Sequence, residues 1–553
     1  MAEDEGSFDF VIIGGGSAGC VLANRLSADP KNRVCLIEAG KKDSSPFIHI
    51  PLGVMYLVEH KVLNWRFMTT SQSDAGGRQI RIPRGRTLGG SSSINGMIYM
   101  RGNPLDFDEW AQHGCKGWSY REVLPYFRKA ENNETYGGDT WHGKGGPLNV
   151  MDVKKRNKMI DIFLSATDEL QLPRRKDFND DGQEGFGYRQ VTQKNGRRFS
   201  AAAAYLTPIK NRPNLEIITE AFCDKVILEG GRAVGVDIIQ GGRGGRKRTI
   251  RVTREVIVSC GAIISPAVLL RSGIGDPDEL ATHGITTQVN LPMVGKNLQD
   301  HPAVTMALTS PSAMSYGISL RSAPRLLWNG IDYLLNRQGL LASNVVEAGG
   351  FIGTQPGLAR PDIQFTFLPG HRSPKGRVIG LGHGYSMTSI LLRPRSRGSI
   401  ALKDANPTSA PLIDPRFFSA AEDLEVLMQG LKISRRILDA PSFDRIRGEE
   451  LKPGKHVQND DDLRQFVCEN SATVYHPVAT CSMGEGTDAV VDSELRVRGV
   501  AGLRVVDASI MPLLIGGNTN APTIMIAEKA SDMILGKPPL PAAVLPGDHQ
   551  QTA

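Results

Sequence analysis

The stretch "FDFVIIGGGSAG", Phe8 to Gly19, decides how the rest of the chain is read. "FDFVII" has the unbroken apolar run of a short buried strand. Gly14, Gly16 and Gly19 then give a GxGxxG turn directly after it, and "SAGCVLANRLS" continues with apolar residues at helical spacing. "RVCLIEAG", Arg33 to Gly40, reads as a second strand that ends in Glu38. Each glycine has a physical task. One permits the tight turn, the next lets backbone approach a pyrophosphate, and the third lets helix and strand pack closely. The helix N-terminus, at Ser17 and Ala18, offers free N–H groups to phosphates. Glu38 stands where an acidic residue accepts bonds from ribose hydroxyls, and its charge would repel a 2′-phosphate. A glycine turn alone could belong to an ordinary βαβ unit. Strand, turn, helix, second strand and acidic tip in order point to dinucleotide binding, with FAD and NAD both compatible.

Bulk composition bounds the remainder. The chain has 553 residues, beyond the ~250–300 at which single cores stop growing, so two domains are expected. Hydrophobic residues make up 40% and charged residues 22%, as in an ordinary globular protein. Net charge is +7 and the densest basic run, "GRGGRKRTIRVTR" from Gly242 to Arg254, reads as a solvated hairpin tip. No basic face with interleaved aromatics occurs, which speaks against nucleic acid. Seven scattered cysteines, none in a CxxC pair, argue against a disulfide framework and a zinc site. They fit a reducing compartment. The acidic N-terminus lacks the form of a secretory signal, and no apolar run approaches ~18 residues. A cytoplasmic protein is expected, with peripheral contact to the inner face of a membrane left open.

Further ordered motifs follow. "RIPRGRTLGGSSSINGMIYMRG" spans Arg81 to Gly102 and continues into "NPLDFDEWA". "GAIISPAVLLRSGIG" runs from Gly261 to Gly275, and "GKNLQDHP" from Gly295 to Pro302. "PRSRGSIAL", "PLIDPRF", "YHPVATCSMG" and "LRVVDASIMPLLIGGNTNAPTIMIAEKASDMIL" complete the series. Together these resemble the signature segments of the glucose–methanol–choline (GMC) family of flavin oxidoreductases, over residues ~8–536. The resemblance implies FAD, oxidation of an alcohol, and a fold of mixed class, α/β and α+β. A Rossmann-like FAD-binding domain would carry a second, substrate-binding domain built on an antiparallel sheet.

The resemblance also implies site residues. Arg86, Thr87, Gly89, Gly90, Ser91, Asn95, Gly96 and Met97 would lie along the flavin, where small residues let a flat ring approach backbone. Ile94 stands where some relatives carry a histidine bonded covalently to the flavin, so non-covalent FAD is expected. Cys223 would contact adenine through backbone atoms, Ala39 would accompany Glu38, and Gly40 would let the chain turn beside the ribose. Asp507, Ala508, Asn518, Asn520, Ala521 and Pro522 belong to the last motif, where a helix N-terminus meets the flavin; a proline suits that first turn. His476, before Pro477, corresponds to the family's base, and a neutral imidazole suits that task. Asn520 is assigned the second catalytic position, holding the alcohol oxygen. Tyr475 and Val478 are candidates to line the substrate cavity. His113, His142, His283, His371 and His383 have no supporting motif, and His301 in "QDHP" reads as a structural turn residue. No metal site is expected.

The FAD domain is expected to be discontinuous, over 1–155, 215–310 and 470–540. The substrate domain takes 156–214 and 311–469, and 541–553 forms a flexible tail. "DLEVLMQGLKISRRIL" reads as an amphipathic helix outside the antiparallel sheet. Within the family, "GRTLGGSSSINGMIYMRGNPLDFDEWA" and "GNTNAPTIMIAEKA" resemble the bacterial choline-dehydrogenase-like and primary-alcohol dehydrogenase branches. These imply a small-molecule alcohol as substrate and a quinone, another electron carrier or oxygen as acceptor. The family fold also hosts oxygen-using oxidases, hydroxynitrile lyases and a fatty-acid photodecarboxylase. Choline itself would require a carboxylate or an aromatic cage for its quaternary ammonium.

Overall fold

β1, Phe8–Ile13, lies in the middle of a mixed sheet, and its register explains its composition. Ile12 pairs with Leu36 of β2, Val34–Ile37, on one side and with Ile257 on the other, both in parallel. A parallel strand covered on both faces has no solvent side, so Phe10, Val11 and Ile12 are fully buried. Each such side chain contributes on the order of 1.5–3 kcal/mol. The computed structural model describes residues 7–242, 244–370 and 381–546. His371, most of the expected tail and Arg243 of the basic run lie outside them.

Leu215–Ile218 extends this sheet beyond β2. The strand Arg246–Val258 has two roles. Its first half pairs antiparallel with Arg232–Gln240, which pairs in turn with Ala221–Glu229. Its second half runs parallel to β1 and to Leu503–Val505. The basic run therefore lies on the hairpin between Arg232–Gln240 and Arg246–Val258, as the alternation in its flanks indicates. α1, Ser17–Leu26, follows β1 and packs against the C-terminal helix Asn520–Ile534.

The second sheet is antiparallel. Pro302–Thr309 pairs with Gly384–Leu391, then come Ile363–Leu368, Ala348–Ile352 and Gly185–Tyr188. Glu450–Lys452 and Ala472–Thr473 close its outer edge. Successive side chains on a strand point to opposite faces. Val304, Met306 and Leu308 enter a core with Phe365, Phe367, Tyr385 and Met387. Ala303, Thr305, Ala307, Thr366 and Thr388 face a cavity instead. The helix Ala421–Leu438 covers the core face through Leu424, Leu427, Met428 and Leu431, on the side its periodicity indicates.

Three segments lie elsewhere than the expected domain boundaries put them. Pro302–Thr309 and Ala472–Thr473 fall inside the ranges read as FAD domain, yet they pair within the antiparallel sheet. Ala202–Leu206, read as substrate domain, packs on α1, with Tyr205 and Leu206 in the core of the first sheet. The motifs that guided the boundaries mark ligand contact, and contact need not coincide with sheet membership. Among the described residues, no helix is long and apolar enough to cross a membrane, and no cluster of potential metal ligands occurs.

Candidate active site

The glycine loop is shaped by close contacts. A Cβ at Gly19 would lie 1.9 Å from the Gly14 carbonyl oxygen, so only glycine fits there. At Gly16 the nearest atom would be 3.9 Å away, which leaves open space in front of the helix. Gly16 caps α1 without any side-chain acceptor, so the first-turn N–H groups remain available to a ligand. Gly14, Gly16, Ser17 and Ala18 stand on the cavity wall. Glu38 is clamped: Gly15 N–H donates to Oε2 at 2.9 Å and Gly40 N–H to Oε1 at 2.7 Å. Burial raises its carboxyl to about 7, against the two backbone bonds and the Arg86 charge, which lower it. Ala39 lies beside it on the wall. Gly40 serves differently from the expectation. Its backbone takes no left-handed turn, and a Cβ there would lie 2.1 Å from the Arg86 carbonyl. Glycine at 40 is thus a packing requirement between two chain segments.

The first signature folds against this loop. A Cβ at Gly90 would lie 2.7 Å from Gly16 Cα, so the two glycine-rich turns touch. Gly90, Ser91, Asn95, Gly96 and Met97 face the cavity, together with the apolar Ile94. Asn95 Oδ1 accepts from Met97 N–H at 3.0 Å and from the buried Arg198 guanidinium at 2.8 Å. Asn344 Nδ2 donates to the Gly96 carbonyl at 2.9 Å. Arg86, Thr87 and Gly89 stand behind the wall. Thr87 Oγ1 donates to the Lys41 carbonyl at 2.8 Å, and the Arg86 guanidinium lies 5.1 Å and 5.0 Å from the Trp65 and Phe222 rings. Cys223 lines the cavity, and its carbonyl accepts from Arg271 at 3.1 Å.

At the other end of the cavity stands His476. Ala472–Thr473 pairs with Pro302–Thr309, and the chain then turns at Tyr475, whose φ is 70°. Asp300 fixes that turn by accepting from His476 N–H at 2.8 Å and from Thr473 Oγ1 at 2.5 Å. The Tyr475 carbonyl accepts from the half-buried Arg84 at 2.6 Å. His476 Nδ1 lies 2.9 Å from His301 Nδ1, the rings being perpendicular, and His301 Nε2 lies 3.2 Å from the Leu392 carbonyl oxygen.

This chain of contacts determines the tautomers. Burial lowers His301 to about 3, so the ring is neutral and carries one N–H. A carbonyl oxygen can only accept, so that N–H is on Nε2 and Nδ1 is left as an acceptor. His476 must then donate from Nδ1. Its Nε2 therefore holds a lone pair, toward which Asn518 Nδ2 donates at 3.1 Å. Burial first, then the neighbouring His301 and Arg84, hold His476 well below the ordinary histidine range.

The partner of His476 is thus Asn518, and this corrects the pairing with Asn520 read from sequence. Asn520 Oδ1 accepts from Ser17 Oγ at 2.8 Å, which ties the start of the C-terminal helix to the start of α1. Two residues along the chain, across the start of the helix, separate the two roles. Ala521 and Pro522 are buried in the first helical turn, behind the wall. Asp507 accepts from Gly261 N–H, Ser265 Oγ and Ser509 N–H, and so joins the end of Leu503–Val505 to the helix Gly261–Arg271. Asp507 and Ala508 both reach the cavity. Tyr475 is on the cavity wall, whereas Val478 is fully buried in the core and only packs. Sequence reasoning missed Arg84, Asp300 and the role of His301. The adjacency of "QDHP" to a strand was the available signal for the last two.

One cavity of about 850 Å³ connects the glycine loop to the antiparallel sheet. A βαβ loop with an acidic tip and a buried imidazole thus line one cavity, an arrangement suited to redox chemistry on a nucleotide cofactor. The chain belongs to the GMC oxidoreductase family: residues 8–303 and 394–527 match its N- and C-terminal regions. It is 46% identical to an alcohol dehydrogenase [acceptor] of Pseudomonas putida, over 96% of each chain. It is 42% identical to an oxygen-dependent choline dehydrogenase of Brucella ovis, again over 96% of each. The crystal structure of pyridoxine 4-oxidase from Mesorbium loti superposes with a TM-score of 0.85 at 31% identity, covering 96% of this chain and 100% of that one.

As a member of this family the protein is an FAD enzyme. Its residues fit that cofactor. The space before Gly16 and the uncapped α1 N-terminus suit a pyrophosphate, and the clamped Glu38 suits a ribose. Asn518 Oδ1 is a buried acceptor for which the described residues supply no donor.

Proposed function

We propose that the protein oxidises an uncharged primary alcohol to its aldehyde, with FAD held non-covalently and electrons passed on to a quinone or another non-NAD acceptor. The observation that carries this reading is the His476–His301–Leu392 chain, which leaves the His476 Nε2 lone pair directed toward Asn518. An arriving alcohol takes its place between these two groups. Its O–H proton passes to Nε2, and its oxygen accepts from Asn518 Nδ2, which holds the carbinol carbon in one orientation. When bound, FAD supplies the acceptor for the hydride that leaves that carbon. The helix dipole at Asn520 favours negative charge developing nearby.

The roof of the cavity supports an uncharged substrate. Ala303, Thr305, Ala307, Thr366 and Thr388 are small and neutral, Ile390 is apolar, and the charged residue of this sheet on the wall, Lys452, is a cation. The described carboxylates on the wall are Glu38, Glu59 and Asp507. The first and third are fastened to backbone at the FAD end, and Glu59 pairs with Arg81. A quaternary ammonium would meet none of the charge it needs at the roof.

The test is anaerobic mixing of the purified holoenzyme with a panel of primary alcohols and choline. The flavin absorbance should bleach with neutral alcohols and not with choline. His476→Ala should retain flavin and slow bleaching by ~10²–10⁴-fold. Asn518→Ala should also slow it, and Asn520→Ala should act chiefly on flavin content. Flavin that no alcohol bleaches, or a His476→Ala variant at the native rate, overturns the reading.

A further inference from the structure

The helix Ala323–Asn336, "APRLLWNGIDYLLN", has its apolar face outward. Leu327 is 70% exposed, Trp328 65%, Leu334 73% and Leu335 75%, and Leu320 just before the helix is 95% exposed. Contiguous apolar surface of this kind marks an interaction site on a globular protein. The inner side of the helix is settled. Leu326 packs against the buried cluster of Tyr316, Leu340, Val345 and Leu368, of which Val345 and Leu368 line the cavity. Asp332, the only acid on the helix, is buried and paired with Lys155 at 2.8 Å.

Basic side chains flank this face. Arg321 and Arg337 are exposed at the two ends of the helix. The Lys155–Asp332 pair brings the segment "KKRNK", Lys154 to Lys158, alongside, with Lys154, Arg156 and Lys158 exposed. An apolar strip with a tryptophan, rimmed by cations and free of exposed acids on the helix, complements an anionic lipid surface. Fourteen residues make a helix of ~21 Å, too short to span the ~30 Å hydrocarbon core, so it would lie in the plane of the interface.

We propose that this face docks the protein onto an anionic phospholipid bilayer, with Leu327, Trp328, Leu334 and Leu335 inserted at headgroup depth. The basic rim engages the headgroups. Leu326 and the cavity-lining side chains beneath it then separate the bilayer from the cavity. The inference stands on the surface alone and does not depend on the reaction proposed above.

The test is co-sedimentation of the full-length holoenzyme with two kinds of vesicle, one of phosphatidylethanolamine and phosphatidylglycerol, the other of phosphatidylcholine alone. The protein should pellet with the anionic vesicles, less at high salt. The double substitution Leu327→Asp with Leu334→Asp should reduce the bound fraction at least ~10-fold. Its flavin content and its bleaching by a water-soluble alcohol should stay native, which shows the fold intact. Wild-type protein that stays in the supernatant with both vesicles overturns the proposal. So does a wild-type dimer that ignores vesicles and becomes monomeric on the double substitution, since a second copy would then cover the face.

Discussion

A histidine is a useful base only if the correct ring nitrogen is free, and here that choice is made two residues away from the chemistry. The Leu392 carbonyl sets His301, His301 sets His476, and His476 Nε2 is left with its lone pair. His301→Ala should therefore leave FAD in place and slow flavin reduction ~10–100-fold by freeing the tautomer. His301→Gln, whose amide oxygen can still accept from Nδ1, should recover part of that rate. Equal rates for the two variants would show that His301 only fills space. Because His476 is held well below 6.5, the acid limb of kcat/KM should fall below pH 6.5. Part of this site was legible in "YHPVATCSMG" and "GGNTNAPT", because motif residues near the cofactor are close in sequence. The choice between Asn518 and Asn520 was not, since the helix starts between them and sends their side chains to different partners. His301 was passed over because its partner lies 175 positions away.

At the scale of elements, the strand–turn–helix unit at the N-terminus was fully readable. Its pattern is local, and burial on both faces leaves β1 a single plausible composition. The unit also separates two uses of glycine. Gly19→Ala should damage the fold, because the new Cβ meets the Gly14 carbonyl at 1.9 Å. Gly16→Ala should fold normally, since nothing in the chain lies closer than 3.9 Å, but its methyl enters the space read as the pyrophosphate site. The expected result is native circular dichroism with reduced flavin content for Gly16→Ala, and loss of soluble protein for Gly19→Ala. Full flavin occupancy in Gly16→Ala would place the pyrophosphate elsewhere. The strand Pro302–Thr309 was harder to assign from sequence. A cofactor-proximal motif runs directly into it, so proximity in sequence concealed its place in the other sheet.

Across the whole molecule, buried charge outside the active site makes stability depend on pH. His142, which no motif singles out, is enclosed by Glu131 at 3.0 Å and Asp177 at 2.7 Å, so both ring nitrogens donate and the ring is charged. Burial lowers its affinity for a proton, and the two carboxylates more than reverse this, raising it to about 9. A raised folded value stabilises fully below the unfolded value of 6.5, and that contribution is lost as pH rises through about 9. The contribution is on the order of 3 kcal/mol. Thermal unfolding should show a fall in Tm between pH 6.5 and 9 that His142→Gln flattens. Parallel pH curves for the two proteins would remove His142 as the cause.

The antiparallel sheet also sorts its residues by parity. On Pro302–Thr309 the even positions 304, 306 and 308 belong to the core and the odd positions 303, 305 and 307 to the cavity. Ile363–Leu368 and Gly384–Leu391 reverse the assignment, with odd positions such as 365 and 387 inside and even positions such as 366 and 388 on the cavity. One set of codons thus specifies what the enzyme admits, and an interleaved set specifies whether it folds. Mutation can explore the first set while the second stays fixed, so substrate range in this architecture can drift over generations, or be steered in a library, with little consequence for the scaffold that carries it.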